Sequence, residues 1–139
     1  MFPKQGKRKT KSEGLPALDR KLWRLFSAFI RHRDCPGGWG VCVTCGKPKP
    51  YADLDAGHFV GRRYKATKFD ERNVAIQCRS CNRFNSGESY AFGVWIDKKY
   101  GAGTAESLYN LSRMRGTKLD RLWYCEKIKE YTQKLKGLK

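Results

Sequence analysis

The sequence contains no apolar run close to the length of about 20 residues that a membrane-spanning helix needs. Its first residues are rich in lysine and arginine, but the apolar segment of a secretory signal peptide does not follow them. We therefore expect a cytoplasmic protein with no membrane partner. In a reducing compartment, closely spaced cysteines bind metal ions more often than they form disulfides.

Acidic residues are also scarce. The 139-residue chain has 13 aspartates and glutamates and 30 lysines and arginines, which gives a formal net charge of +17. A charge this large is typical of proteins that bind polyanions, because each phosphate that is neutralised releases condensed counterions. The composition thus favours a nucleic-acid partner over a small-molecule substrate. It leaves open a basic binding protein that has no chemistry of its own.

Four of the six cysteines form two C-x-x-C pairs, Cys42/Cys45 and Cys78/Cys81. A two-residue spacer lets both thiolates of a pair point inward from one tight turn, so two pairs can enclose a tetrahedral ion. The spacing predicts one structural zinc ion bound by all four thiolates. Cys125 has no partner at ligand spacing, and its place on an apolar helical face predicts a buried thiol.

Composition and apolar periodicity divide the chain. Residues 1–14 are basic with almost no apolar content, which predicts a flexible tail, and residues 15–139 are expected to form a single domain. Leucines and phenylalanines recur at three- and four-residue steps over 15–34, which predicts a helix with a core-packing face and a basic exterior. The four paired cysteines fall in 40–88, and 89–139 is expected to be helical. This arrangement predicts an α+β fold.

The stretch between the cysteine pairs is expected to supply the strands. Residues 51–60 are predicted to form a strand or hairpin, and 73–77 a second strand that leads into Cys78. After Cys81 a helix is expected, broken or bent near residues 86–87.

The last helix is predicted to be long and amphipathic. Thr117 and Asp120 have the spacing of a capping box at its start. Its stripe of aromatic side chains is more typical of a core or a dimer seam than of a base-stacking surface.

Polar residues around the second cysteine pair suggest a hydrolytic site. Phosphodiester cleavage needs a base for the attacking water and a cation for the charge on the phosphorane and the leaving oxygen. His58 is the candidate base, because a neutral imidazole is available near pH 7. Asp55 and Asn82 offer oxygen ligands that Mg²⁺ or Mn²⁺ accepts. Asn73 is a second candidate catalytic residue, expected to bond across the hairpin and hold the histidine loop.

Basic residues flank these positions and are candidates for contacts with DNA phosphates. Each of them, taken singly, fits a solvated surface charge equally well. A structural histidine is the simplest interpretation of His58 alone, but its acidic and amide neighbours favour a functional one. The candidate DNA-binding residues are Arg62, Arg63, Lys65, Arg79 and Arg83.

Several separated motifs, in order, resemble the lambdoid phage NinG (Rap) family. The likeness runs from about Ser27 to Lys139. It is carried by Ala28-Phe-Ile-Arg31, Cys42/Cys45, Asp55-Ala-Gly-His58-Phe59, Phe69-Asp-Glu-Arg-Asn73, Gln77-Cys78-x-x-Cys81-Asn82, Ser86-Gly87 and the stretch that begins Cys125-Glu-Lys-Ile-Lys-Glu-Tyr.

This resemblance implies a structure-selective endonuclease of recombination that cleaves branched DNA, such as Holliday junctions and D-loops, with a divalent metal ion. The core is also similar to the endonuclease VII pattern of the His-Me finger (HNH) nucleases. That similarity implies a small zinc-bound ββα-metal core flanked by an N-terminal helix and a C-terminal helical region. In this pattern Asp55 and Asn82 bind the catalytic ion and His58 activates water.

Two positions depart from the usual HNH pattern. Gly57 stands where a histidine or aspartate commonly precedes the base, and Asn82 replaces a third-position histidine. Asn85 or Glu88 is a candidate to complete the metal's ligand set.

Two other functions fit the same residues. One is a zinc-containing module that binds nucleic acid through charge and has no catalytic activity. The other is a sequence-specific HNH homing or restriction endonuclease. For the recombination endonuclease we expect a homodimer, so that two sites cut two strands.

Overall fold

The computed structural model describes residues 13–138, so the basic tail predicted over 1–14 lies almost wholly outside the described residues. Two small antiparallel sheets, β1–β2 and β3–β4, lie among five helices in this part of the chain. This arrangement confirms the α+β prediction. The elements are α1 (Leu15–Asp34), β1 (Trp39–Val41), β2 (Pro48–Pro50), β3 (Leu54–His58), α2 (Lys65–Lys68), β4 (Val74–Cys78), a π-helical turn (Ser80–Phe84), α3 (Ser89–Tyr100), α4 (Thr104–Ser112) and α5 (Arg121–Leu138).

Strand β4 lies at the centre of the fold and is buried along its whole length. Successive side chains of a strand point to opposite faces of the sheet. Val74 packs into the cluster formed by α1 and α5, whereas Ala75 packs with Phe92 and Leu108 from α3 and α4. Because helices cover both of its faces, β4 is held firmly in place, and it fixes the position at which the residues after it begin.

Helices α1 and α5 pack against each other through their apolar stripes. Phe26 is fully buried, and its ring meets that of Tyr131 edge-on at 5.0 Å between centroids. Burial of a large apolar side chain stabilises the fold by roughly 1.5–3 kcal/mol. The aromatic stripe of α5 is therefore part of the core. Among the described residues, no helix is long and apolar enough to span a membrane.

Two sequence expectations for α5 are wrong. The helix begins at Arg121, and the Asp120 carboxylate accepts a hydrogen bond from the Trp123 backbone N–H at 2.8 Å, so Asp120 is the cap and Thr117 is not. The Cys125 thiol is exposed. It follows the buried Tyr124 directly, and one residue turns the side chain about 100° around a helix, away from the core.

The end of α1 is fastened to β4. The Arg33 guanidinium donates to the Val74 carbonyl at 3.0 Å, and the Asp34 carboxylate accepts the Ile76 N–H at 3.3 Å. The Val43 N–H, in the first cysteine turn, donates to the Ile76 carbonyl at 3.1 Å. The hairpin, α1 and the first cysteine pair are thus held in one geometry.

Candidate metal centre and adjoining polar cleft

The four cysteines of the two C-x-x-C pairs come together in space. The sulfur atoms of Cys42, Cys45, Cys78 and Cys81 lie within 4.8 Å of one another, and Cys45 Sγ is 3.8 Å from Cys78 Sγ. Two thiolates bound at about 2.3 Å to one tetrahedral ion are about 3.8 Å apart, whereas a disulfide needs about 2.05 Å. The cluster could therefore hold a metal ion.

Protonation within the cluster also favours a cation. Burial opposes ionisation of Cys42, but hydrogen bonds from the Thr44 hydroxyl and from nearby backbone N–H groups lower its pKa to about 6. Burial, with hydrogen bonding and charge from the other cysteines, raises the pKa of Cys81 to about 12. The Cys42 thiol therefore ionises readily, whereas the Cys81 thiol does not. A bound cation would offset the repulsion between neighbouring thiolates, and the thiol protons would be released as it binds.

A polar cleft of about 720 Å³ adjoins the cluster, between α1, β3 and residues 79–87. Trp23, Ser27 and Arg31 line it from α1, where four-residue spacing places them on one helical face. The cleft therefore collects side chains from segments far apart in the sequence. Its other lining residues are Ala52, Leu54, Asp55, Ala56, His58, Gly61, Arg62, Arg79, Asn82, Arg83, Ser86 and Gly87.

Asp55 is held in this cleft by two neighbours from the π-helical turn. Arg83 forms a bidentate ion pair with its carboxylate, with both N–O distances at 2.9 Å, and Asn82 Nδ2 donates to Oδ2 at 3.0 Å. Partial burial raises the pKa of Asp55, but the hydrogen bonds and charge from Arg83 and Asn82 outweigh it and hold the pKa below its usual value. The carboxylate is anionic and already attracts a cationic group.

His58 is stacked and half-buried at the wall of the same cleft. Its ring lies 4.8 Å from the Trp23 ring, nearly parallel, and Nε2 is 3.0 Å from the Lys68 carbonyl oxygen. A carbonyl only accepts, so Nε2 carries the hydrogen and Nδ1 is the basic nitrogen of the neutral ring. Burial, joined by the charges of Arg62 and Lys68, lowers the pKa of His58 to about 4, although the Lys68 hydrogen bond opposes this shift. The imidazole is neutral at pH 7.

Asn73 is fully buried and does not line the cleft. Its Oδ1 accepts the Val60 N–H at 2.7 Å, and Nδ2 donates to the carbonyls of Val60 and Thr67 at 2.9 and 3.0 Å. Its own carbonyl accepts the Phe59 N–H at 2.9 Å. Asn73 thus holds the two residues after His58, which makes it a positioning residue.

Three of the five candidate DNA-binding residues reach the cleft: Arg62, Arg79 and Arg83. Arg62 lies over the Trp23 ring, 5.9 Å from its centroid. Arg63 and Lys65 do not line the cleft; Arg63 lies over the Tyr64 ring and Lys65 is an exposed residue at the start of α2. The basic loop therefore contributes one arginine to the cleft.

Sequence reasoning missed the contribution of α1 to this cleft. It assigned Arg31 to the basic exterior of the helix, whereas the guanidinium donates to the Tyr51 carbonyl at 2.9 Å and stacks on the Tyr51 ring. The signal was present as a stripe of Trp23, Ser27 and Arg31, one residue beyond the buried stripe that contains Leu22.

Gln77 is a second residue that the sequence did not single out. It is fully buried, and Nε2 donates to the Gly87 carbonyl at 2.8 Å and to Thr44 Oγ1 at 3.2 Å. These bonds tie the cleft segment to the first cysteine turn. A Cβ atom at Gly57 would lie 2.0 Å from Gln77 Oε1, which explains why the position before His58 has no side chain.

The candidates for completing the metal's ligand set lie elsewhere. Asn85 and Glu88 line a separate cavity beside the cysteines, together with Thr44 and Cys45, and neither lines the cleft that holds Asp55. Their role as ligands of a catalytic ion therefore stays a prediction, which the lining of the cleft does not support.

Fold and site define a small basic α+β protein that carries a four-cysteine cluster able to hold a metal ion, beside an arginine-lined polar cleft. A family model described as "Bacteriophage Lambda NinG protein" matches residues 3–139. The chain belongs to this NinG family. It is 33% identical to Protein ninG of Salmonella phage P22 and to that of Escherichia phage lambda, in each case over 94% of this chain.

This chain spans only about two thirds of the length of these relatives. This chain covers 64% of the phage P22 and phage lambda proteins and 66% of Protein ninG from Escherichia phage 933W, to which it is also 33% identical. No solved structure matches the chain significantly.

Proposed function

We propose that this protein is a metal-dependent endonuclease that hydrolyses phosphodiester bonds in branched DNA such as Holliday junctions and D-loops. The observation that carries the proposal is the shared cleft of Asp55, His58 and Asn82, walled by arginines. In this proposal β3, β4 and the π-helical turn form the ββα-metal core of a His-Me finger nuclease. The choice of branched DNA rests on the family resemblance of the motifs.

His58 is the general base in this proposal. At pH 7 the ring is neutral, and its tautomer is fixed by the Lys68 carbonyl, so Nδ1 can take a proton from water. The hydroxide oxygen then bonds to phosphorus, the bond from phosphorus to the leaving oxygen breaks, and that oxygen takes a proton from a solvent water molecule. His58 returns its own proton to solvent, so the net reaction consumes one water. Stacking on Trp23 holds the imidazole plane, and Asn73 holds the backbone behind it.

Asp55 and Asn82 are the proposed ligands of a catalytic Mg²⁺ or Mn²⁺. A carboxylate and an amide oxygen are hard donors that suit these ions, and the Arg83 guanidinium shows that Asp55 attracts positive charge. Asn82, whose Nδ2 donates to Asp55 in this structure, would turn its amide so that Oδ1 faces the ion. Such an ion, when bound, would stabilise the charge on the phosphorane and the leaving oxygen. Arg83 would then exchange its contact with Asp55 for a contact with a DNA phosphate.

The ion of the cysteine cluster is proposed to be structural zinc. Four thiolates around a closed site are the usual ligands of structural zinc, and Asn82 follows Cys81 directly in the chain. The cluster therefore fixes where the Asn82 side chain starts. Zinc in the cage and a hard ion in the open cleft keep separate roles, because thiolates are soft ligands and oxygens are hard ones.

Arginines supply the proposed contacts with DNA. Arg31, Arg62, Arg79 and Arg83 line one cleft, and the formal charge of +17 favours a polyanion throughout. We propose a homodimer as the active form, since two strands of a junction need two sites. With the α5 stripe packed on α1, that dimer would use another surface.

A substrate panel tests the proposal. Wild type is expected to nick a four-way junction and a D-loop in the presence of Mg²⁺ or Mn²⁺ and to leave a sequence-matched linear duplex largely uncut. Asp55→Asn is expected to lose this activity, whereas Glu126→Gln, a control at an exposed carboxylate outside the cleft, keeps it. Cutting of the duplex at a defined sequence would favour a homing or restriction enzyme. No cutting of any substrate would favour a non-catalytic zinc module.

A further inference from the structure

Phe84 is the large apolar side chain most exposed beside the cleft. It is 81% exposed at the end of the π-helical turn. Its neighbour Arg83 lines the cleft, and so does Ser86 two residues later. Phe84 itself does not line the cleft, but consecutive Cα atoms are about 3.8 Å apart, so its side chain starts next to that of Arg83, at the edge of the cleft. Exposure of an apolar ring to water is unfavourable in free energy, and a partner that covers the ring would remove this cost.

The backbone that presents Phe84 is held in an unusual conformation. Ser86, Gly87 and Glu88 follow one another with φ of 52°, 74° and 50°, which is left-handed backbone that Ser and Glu rarely adopt. The Gly87 carbonyl is anchored by buried Gln77 at 2.8 Å, and the Asn85 N–H donates to the Ser80 carbonyl at 3.1 Å. Residues held in such conformations concentrate at functional sites, so the segment that directly follows Phe84 is a candidate for a functional role.

The surroundings of Phe84 favour a nucleotide over an apolar protein surface. Arg83 and Arg79 retain 55% and 51% exposure, and an apolar partner covering Phe84 would remove these guanidinium groups from water. A nucleotide supplies both complements, a phosphate for the arginines and a flat base for the ring. In a continuous duplex both faces of each internal base are stacked, whereas a branch point exposes base faces.

We propose that Phe84 stacks on a base exposed at the branch point of a DNA junction and thereby selects branched DNA over duplex. The inference rests on the proposed function only in placing DNA in the cleft. Phe84 is in this account a specificity-determining residue, and it takes no part in the hydrolysis.

Binding measurements test this role without any cleavage. In a His58→Ala background, the affinity for a four-way junction with 2-aminopurine at its branch point is compared with that for a duplex of the same sequence. Phe84→Ala and Phe84→Leu are each expected to weaken junction binding about 5- to 150-fold and leave duplex binding within about twofold. The protein-induced quenching of 2-aminopurine should disappear in both variants, and Phe84→Trp should keep it.

Trp39→Ala serves as the matched control, since Trp39 is 60% exposed on β1 and does not line the cleft. It should change neither affinity nor quenching. Three results would overturn the inference: an unchanged preference for the junction in Phe84→Ala, full binding by Phe84→Leu, or a changed sedimentation coefficient of DNA-free Phe84→Ala, which would assign the ring to a protein interface.

The two proposals fail separately. A protein that cuts no substrate but loses junction preference with Phe84→Ala supports the stacking role and removes the nuclease. If wild type cuts DNA in a metal-dependent way and Phe84→Ala keeps the junction preference, the nuclease proposal is supported and the stacking proposal is contradicted.

Discussion

His58 combines burial, a stacked indole and a backbone acceptor, and together these fix its charge and its tautomer. The ring is neutral because it is partly withdrawn from water and two basic side chains lie nearby. The Lys68 carbonyl orients it, so the basic nitrogen is the same in every molecule. The orientation of His58 therefore does not depend on a neighbouring carboxylate. This leaves Asp55 available for its proposed role as a metal ligand.

The protonation of His58 predicts a pH dependence of stability. The pKa is about 4 in the folded protein and about 6.5 in an exposed imidazole, so between these values the unfolded chain binds more protons. The contribution of His58 to the free energy of unfolding is thus complete above about pH 6.5 and is lost as the pH falls towards 4. Between pH 7.5 and 5 the loss is roughly 2 kcal/mol.

Denaturant unfolding of wild type and His58→Gln at both pH values measures this loss. The other titrating groups are common to the two proteins, so only the difference in their pH dependence belongs to His58. The same pH dependence in both proteins would show that the ring is protonated or exposed in solution.

Gly57 predicts a second residue-level effect. A Cβ at this position would lie 2.0 Å from Gln77 Oε1 and 3.0 Å from Asn82 Oδ1, and buried Gln77 cannot swing away. Gly57→Ala is expected to lower the free energy of unfolding by about 1–3 kcal/mol. Gly61→Ala is the control, because nothing lies within 4 Å of that Cβ, and it should stay within about 0.5 kcal/mol of wild type.

Chemical denaturation of both glycine variants supplies the comparison. Equal stability of Gly57→Ala and Gly61→Ala would mean that the close approach of Gln77 to the hairpin is absent in solution.

At the level of single residues, the sequence predicted what short motifs encode and missed what tertiary packing supplies. Asp55, His58 and Asn82 lie in or beside recognisable motifs, and all three line the cleft. Arg31 and Gln77 also belong to motifs of the family resemblance, but those motifs do not predict which groups the two side chains contact. Arg31 reaches the cleft because α1 is fastened to β4, and Gln77 acts through contacts on a buried face, neither of which is visible in the surrounding sequence.

Among the elements, the cysteine turns and the β3–β4 hairpin depend on one another. The first turn bonds to β4 through Val43, and the second turn follows β4 directly at Cys78. A metal ion held by both turns would therefore close the end of the hairpin. Loss of the ion should unfold this region and should do more than remove activity.

Serine in place of Cys78 tests this dependence. Cys78→Ser is expected to lower the free energy of unfolding by more than about 3 kcal/mol and to reduce the zinc content, because metal binding is coupled to folding. Cys125→Ser is the control, since that thiol is exposed and lies outside the cluster, and it should change stability by less than about 0.5 kcal/mol. Thermal unfolding with zinc analysis measures both, and equal stability of the two variants would contradict a structural metal.

Element boundaries show where periodicity suffices and where it does not. Helix α1 has a strong apolar repeat and spans Leu15–Asp34, the range that the repeat indicates. The sequence predicts a strand or hairpin over 51–60, whereas Tyr51–Asp53 form a 3₁₀ turn after Pro50 and β3 spans only Leu54–His58. A strand contains few residues, so its alternating pattern is a weak signal. One short turn next to the strand is enough to move its predicted boundary by several residues.

On the scale of the whole molecule, excess positive charge dominates. With 30 basic and 13 acidic residues, affinity for DNA should come largely from counterion release. If about six phosphates are contacted, the logarithm of the affinity falls against the logarithm of salt concentration with a slope near −5. Fluorescence anisotropy of a labelled junction at several salt concentrations measures the slope, and a flat response would remove electrostatics as the main source of binding.

The most direct test of the catalytic cleft is the single-turnover cleavage rate of a four-way junction at pH 7 with Mg²⁺, for wild type, His58→Ala and His32→Ala. His32 is the only other histidine of the chain, and it stacks on Tyr51 without lining the cleft. The account predicts a rate about 10²- to 10⁴-fold lower for His58→Ala at unchanged junction affinity and a wild-type rate for His32→Ala. Equal rates for wild type and His58→Ala would contradict it, and so would wild-type protein that binds the junction without cutting it.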